Sequence, residues 1–212
     1  MKSVALVKNW AEDTTPEILK SIHKDEINIT IYNRDISMLQ NEIDVLLAQN
    51  IKFNAYGNSN QILNEFRNIS KLKETSSIFK DIENLLIHFK EITNATTVRL
   101  FLGVIKTNMC LKFHTDVNDL RMLCTYKGSS TLWLTEDNVN RKELNAYSDN
   151  EAIVYNPEEI QQTQTGAVII LKGSKYKNGT IKAVVHRSPT IENKNEKRLL
   201  LRIDTDQFLN KR

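Results

Sequence analysis

The sequence predicts an α+β protein: a double-stranded β-helix, jelly-roll-like, of about eight strands, backed by N-terminal helices. Three observations predict it. Apolar spacing is mostly helical up to about Ala95 and two-residue beyond it. The second half breaks into short apolar runs separated by turn signals. One of those runs, Phe113-His114-Thr115-Asp116, sets an imidazole and a carboxylate two positions apart, and a later run carries His186. A strand sends residues i and i+2 to one face, so His114 and Asp116 share a side if this stretch is extended.

The elements follow in chain order. Thr14-Thr15-Pro16-Glu17 starts a helix, with a hydroxyl cap and proline at the first helical position. Ile27 to Tyr32 alternates as a short strand. Asp35 caps a helix with Ile36, Leu39, Ile43, Leu46 and Leu47 on one face, and Ile51 to Tyr56 is again extended. Asn58 or Ser59 opens a helix through Ile62, Leu63, Phe66 and Ile69; Ser76 or Ser77 opens a longer one from Ile78 to Ile92. Residues 1–95 thus form the helical layer of a single domain spanning 1–212. Residues 96–212 form the core, with strands expected at Thr97–Lys106, Cys110–Asp116, Leu120–Tyr126, Thr131–Leu134, Ala152–Tyr155, Ala167–Lys172, Ile181–Arg187 and Arg198–Asp204. Lys127-Gly128-Ser129, Asn156-Pro157, Gly173-Ser174 and Asn178-Gly179 mark turns, and the polar insert near 136–150 is a lid-like connection.

Composition excludes several function classes. The formal net charge of +3 is weak and no long basic block occurs, so nucleic-acid binding is not expected. No apolar run approaches the ~20 residues of a membrane span. Met1 to Val7 begins like a signal peptide, but the run stops at Lys8 without a small-residue cleavage site. Two isolated cysteines, Cys110 and Cys124, point to buried thiols in a reducing compartment, and the expected location is cytoplasmic. Oligomeric state is not legible. There is no CxxC zinc site, no nucleophile elbow and no Walker loop.

His114, Asp116 and His186 make a two-histidine, one-carboxylate set, which suits non-haem Fe(II) and leaves positions open for O2 chemistry. The next strand, Arg198-Leu199-Leu200-Leu201-Arg202-Ile203-Asp204, places two arginines on one face of a core strand. A buried guanidinium needs a partner, and the carboxylate of a 2-oxoglutarate co-substrate is one it can hold through two parallel hydrogen bonds. Arg198 is the first candidate, Arg202 the second, and Lys112 a weaker third. Arg121, Tyr126, Trp133 and Arg187 offer polar or aromatic handles for substrate; the competing reading is packing or surface pairing, with Arg187 on the opposite strand face from His186. Arg141, in the insert, is a further charge that can face an anionic substrate or solvent.

These residues resemble the iron and co-substrate pattern of the Fe(II)/2-oxoglutarate-dependent dioxygenase superfamily. The run Phe113 to Asp116, then Arg121-Met122-Leu123-Cys124-Thr125-Tyr126-Lys127-Gly128 and Thr131-Leu132-Trp133-Leu134, is more closely similar to the bacterial family called domain of unknown function 1826. Val139-Asn140-Arg141, Gly166 through Gly173, His186-Arg187-Ser188-Pro189, Arg198-Leu199-Leu200-Leu201 and Ile29-Thr30-Ile31-Tyr32-Asn33-Arg34 continue the likeness over most of the chain. It implies oxidation of a small molecule, amino acid or peptide, usually by hydroxylation of an unactivated C–H bond, with O2 consumed and 2-oxoglutarate converted to succinate. The alternatives are a cupin-like metal-binding or metal-handling protein without co-substrate chemistry, and a non-catalytic binding domain whose His and Asp are structural.

Overall fold

Two β-sheets face each other, and helices cover the far side of the larger one. The computed structural model describes residues 8–70, 72–73 and 76–205; the apolar start at Met1 to Val7 lies outside them. The strands are β1 (Trp10–Asp13), β2 (Ile29–Tyr32), β3 (Lys52–Gly57), β4 (Val98–Ile105), β5 (Leu120–Lys127), β6 (Leu132–Leu134), β7 (Gln161–Gln162), β8 (Val168–Lys172), β9 (Val185–Arg187) and β10 (Arg198–Thr205). The large sheet has the order β1-β2-β8-β5-β10-β4-β3 and is antiparallel except for the β1–β2 pair. The small sheet is β7-β6-β9, antiparallel throughout.

Alternation along each strand divides the core. One face of the large sheet carries Leu100, Leu102, Met122, Cys124, Tyr126, Val168, Ile170, Leu199, Leu201 and Ile203. It packs on Ile43 and Leu46 of α1 (Gln40–Ala48), Phe66 of α2 (Ser59–Ser70) and the Ile78 to Ile92 stripe of α3 (Ser77–Thr93). The other face carries Ile29, Ile31, Leu123, Ile169, Leu171 and Leu200, against Trp133 and Val184. Helix α3 begins as its sequence predicts: Ser76 accepts a hydrogen bond from the Phe79 N–H, and Asn94 ends the helix at φ 53°.

Several expectations change. Of the three strands that the first 95 residues supply to the large sheet, β2 and β3 fall in the stretches expected to be extended, whereas β1, like β7, carries too few apolar residues to have been read as a strand. The stretch opened by Pro16 is a 3-10 helix, Pro16–His23. Cys110–Asp116 is not a strand: only His114 pairs, in an isolated bridge. Ala152–Tyr155 is not a strand: Ala152 and Ile153 end a short helix, α5 (Asn150–Ile153), and Val154 pairs only in an isolated bridge with Val139. Ile181–Arg187 is extended only at Val185–Arg187. The insert near 136–150 is not a free lid: with α4 (Arg141–Asn145) and α5 it packs Val139, Ile153 and Val154 onto Phe113, Leu134 and Val185, on the outer face of the small sheet. Cys110 is exposed rather than buried, and both cysteines are free. Among the described residues no helix is long and apolar enough to cross a membrane.

Candidate metal centre

The three predicted ligands come together from a loop and a strand. His114 and His186 exchange both backbone hydrogen bonds, each N–H donating to the other's carbonyl at 3.0 Å. Directly opposed residues of an antiparallel pair point to one side, and the imidazole centroids lie 4.7 Å apart. Asp116 is delivered by the loop before β5. The Ser174 N–H donates to the Asp116 carbonyl at 2.8 Å, Gly173 to Asp119 at 2.8 Å, and Lys175 to Asn118 at 2.9 Å. This close approach explains Gly173: a Cβ there would sit 2.3 Å from the Asn118 carbonyl oxygen.

One ligand atom from each of the three residues lies within 4.8 Å of the others. Nε2 of His186 is 3.3 Å from Oδ2 of Asp116, and Nε2 of His114 is 3.7 Å from Oδ1. Metal arms of about 2.1 Å at right angles separate neighbouring ligand atoms by about 3 Å. Nδ1 of His114 meets the Lys112 carbonyl at 2.9 Å and Nδ1 of His186 the Val184 carbonyl at 3.5 Å. A carbonyl only accepts, so Nδ1 carries a ring proton in each histidine, and Nε2 is the atom turned toward Asp116, able to bind a metal once it is deprotonated. Oδ2 of Asp116 is buried with no hydrogen-bond donor. The donor set therefore fits a hard-to-borderline divalent metal such as Fe(II). Burial opposes ionisation of Asp116, but the facing His114 and His186 imidazoles, when protonated, and the Arg121 guanidinium hold its carboxyl well below the usual range. The facing Asp116 carboxylate, 3.7 Å away, raises His114 against the opposing effect of burial. His114 keeps 34% of its side chain exposed while Asp116 keeps 9% and His186 6%, so the set is open on the His114 side.

The predicted arginines have different fates. Arg121 pairs with Asp116 (2.5 Å) and Asp204 (2.5 Å), so it has no free charge for substrate. Arg202 pairs with Asp204 at 3.0 Å and lies over the Phe101 ring. Arg198 is 1% exposed and, among the described residues, pairs with no carboxylate. It donates to the Thr125 hydroxyl at 3.2 Å, and its Nε is buried without a partner. Burial pulls its pKa down to about 10, with only Glu196 opposing. By strand alternation Arg198 lies on the face of Leu200, toward Trp133 and the small sheet.

Tyr126 faces the other way. It is buried on the helix side and donates to Asp81 at 2.6 Å, where Asp81 also pairs with Arg34; a side chain there is outside the space between the sheets. Trp133 is a packing residue between the sheets, edge-on to Trp10 at 5.7 Å and opposite His186. Arg187 points outward over the Phe113 ring at 5.2 Å. Arg141 is held by Glu136 and the Ala183 carbonyl, and Lys112 by Asp149. Thr125 and Asp204 were missed as site neighbours. Their signal was parity: both sit at even spacing from Arg121 or Arg198 on strands already identified.

The model of the family described as "Protein of unknown function (DUF1826)" matches residues 13–204. No curated protein matches the chain. Among solved structures, the dioxygenase for auxin oxidation in rice has a TM-score of 0.54 at 10% identity, covering 93% of this chain and 82% of its own. A full-length Neurospora crassa protein in complex with alpha-KG and thymine has a TM-score of 0.50 at 11% identity, covering 97% and 87%. At such identity the likeness shows the fold.

Proposed function

This chain belongs to the DUF1826 family, and we propose that it is an Fe(II)- and 2-oxoglutarate-dependent oxygenase acting on a small molecule, an amino acid or a peptide. His114, Asp116 and His186 would hold the metal, and Arg198 the distal carboxylate of 2-oxoglutarate. The observation that carries this reading is the unpaired Arg198 guanidinium. A buried cation whose described hydrogen bond goes to a hydroxyl, with a second N–H left over, is complementary to a carboxylate from outside the chain. A protein that only stored or sensed a metal has no use for it. Arg202 has its own carboxylate, so Arg198 takes the co-substrate role.

Bound Fe(II) would supply O2 activation coupled to decarboxylation of 2-oxoglutarate to succinate. The chain's own part is to fix ligand geometry and exclude water. The backbone pair sets the imidazoles, the carbonyls at Lys112 and Val184 set their tautomers, and Trp133 and Leu200 keep the space between the sheets apolar. The alpha-KG bound in the Neurospora crassa structure is consistent with this assignment.

Calorimetric titration of Mn(II)-loaded protein with 2-oxoglutarate tests it. Saturable binding that is lost in Arg198→Met and kept in Arg202→Met is expected. Metal binding without 2-oxoglutarate binding would replace this reading with the cupin-like metal protein.

A further inference from the structure

We infer that Arg121, braced by Asp204, is a positioning residue that ties one oxygen of Asp116 and leaves the other to the metal. The inference rests on the metal-site reading above and goes beyond the ligand set. The two Asp116 oxygens have different surroundings: Oδ1 takes the Arg121 guanidinium at 2.5 Å, while Oδ2 has no hydrogen-bond donor and lies 3.3 Å from Nε2 of His186. Asp116 is on a loop, where no strand ladder fixes the carboxylate plane. A planar guanidinium with its second edge anchored can fix it.

The anchor is built into the sheet. Arg121 on β5 and Asp204 on β10 are register partners, and Nε of Arg121 lies 2.5 Å from Oδ1 of Asp204. Asp204 is held in turn by Nδ2 of Asn118 at 3.2 Å and by Arg202 at 3.0 Å. Asn118 belongs to the Asp116 loop, so Asp204 grips that loop twice, through Arg121 and through Asn118. Charge is balanced along the chain of groups: two carboxylates alternate with two guanidiniums, which permits burial of the set. Without Arg121, Asp116 is free to rotate and present both oxygens to the metal, and its ordered position is lost.

Co(II) and Mn(II) titrations of the full chain test this. The double variant Arg121→Gln/Asp204→Asn removes the pair without leaving Asp204 as a bare buried charge. It is expected to fold, by circular dichroism, and to bind Co(II) about 10- to 100-fold more weakly, with a changed Co(II) visible spectrum. Arg121→Lys keeps the charge but lacks the planar fork, and is expected to change the spectrum with a smaller loss of affinity; it also serves if the double variant does not fold. Wild-type affinity and an unchanged spectrum in a folded variant would overturn the inference alone. Wild-type protein that binds neither metal would overturn the metal-site reading itself.

Discussion

His114 and His186 are joined backbone to backbone, each donating its N–H to the other's carbonyl at 3.0 Å. The two imidazoles therefore do not depend on side-chain packing alone for their relative position. The pair also closes the small sheet on the side away from β6, since β9 carries His186 between Trp133 and His114. His186→Ala keeps these backbone bonds, so it is expected to stay folded and to lose thermal stabilisation by Mn(II) or Co(II). A saturating metal at 100 times its Kd stabilises by about 2.7 kcal/mol, and a thermal melt with and without metal reads the difference.

Arg198 is expected to lower stability while it serves binding. Replacing a buried, unpaired guanidinium with an apolar side chain of similar length removes a desolvation cost. Arg198→Met should melt higher than the wild type without ligand, by roughly 1 kcal/mol or more, and should lose the stabilisation that 2-oxoglutarate gives the wild type.

Gly173 is expected to matter through space, not flexibility. Its substitution by Ala drives Cβ into the Asn118 backbone, 2.3 Å from the carbonyl oxygen. Gly173→Ala should displace the Asp116 loop and weaken Mn(II) binding, read by calorimetry, while the helix-side core, which the glycine does not touch, keeps the far-ultraviolet spectrum unchanged.

Tyr126 should separate from the site. Tyr126→Phe removes its hydrogen bond to the Asp81 carboxylate and is expected to cost about 1–3 kcal/mol in urea unfolding. Metal and 2-oxoglutarate affinity should stay at wild-type values, because the ring lies on the opposite face of the large sheet.

Lys172 supplies a pH signature. Burial lowers its pKa from 10.5 to about 8, although Asp25 and Glu26 favour its charge. Below about pH 8 both states are protonated, and the folded state bears the full cost of the buried ammonium. As pH rises from about 8 toward 10.5 the folded state releases its proton first, so this residue's contribution to stability rises. The stability difference between wild type and Lys172→Met should move in favour of wild type between about pH 7 and about pH 9.5, measured by urea unfolding.

The strongly periodic segments were legible. The α3 stripe, β4, β5, β8 and β10 lie within a residue or two of their expected bounds, because a single period governs each. His114 and Asp116 meet His186 for a different reason from the one the alternation suggests. Their stretch is a loop with one bridge, pinned by backbone bonds to residues 173–175 that no local pattern encodes. β1, β7 and the packing of the insert depend on partners distant in sequence, so propensity could not find them. The face of Tyr126 was legible in principle: it differs in parity from Arg121 and Thr125 on the same strand.

The most direct test is an anaerobic titration of Fe(II)-loaded protein with 2-oxoglutarate, following the weak visible metal-to-ligand charge-transfer band, with Asp116→Ala alongside. A band in the wild type that is absent in the variant is the predicted result. No band from wild-type protein with iron bound would contradict the co-substrate assignment.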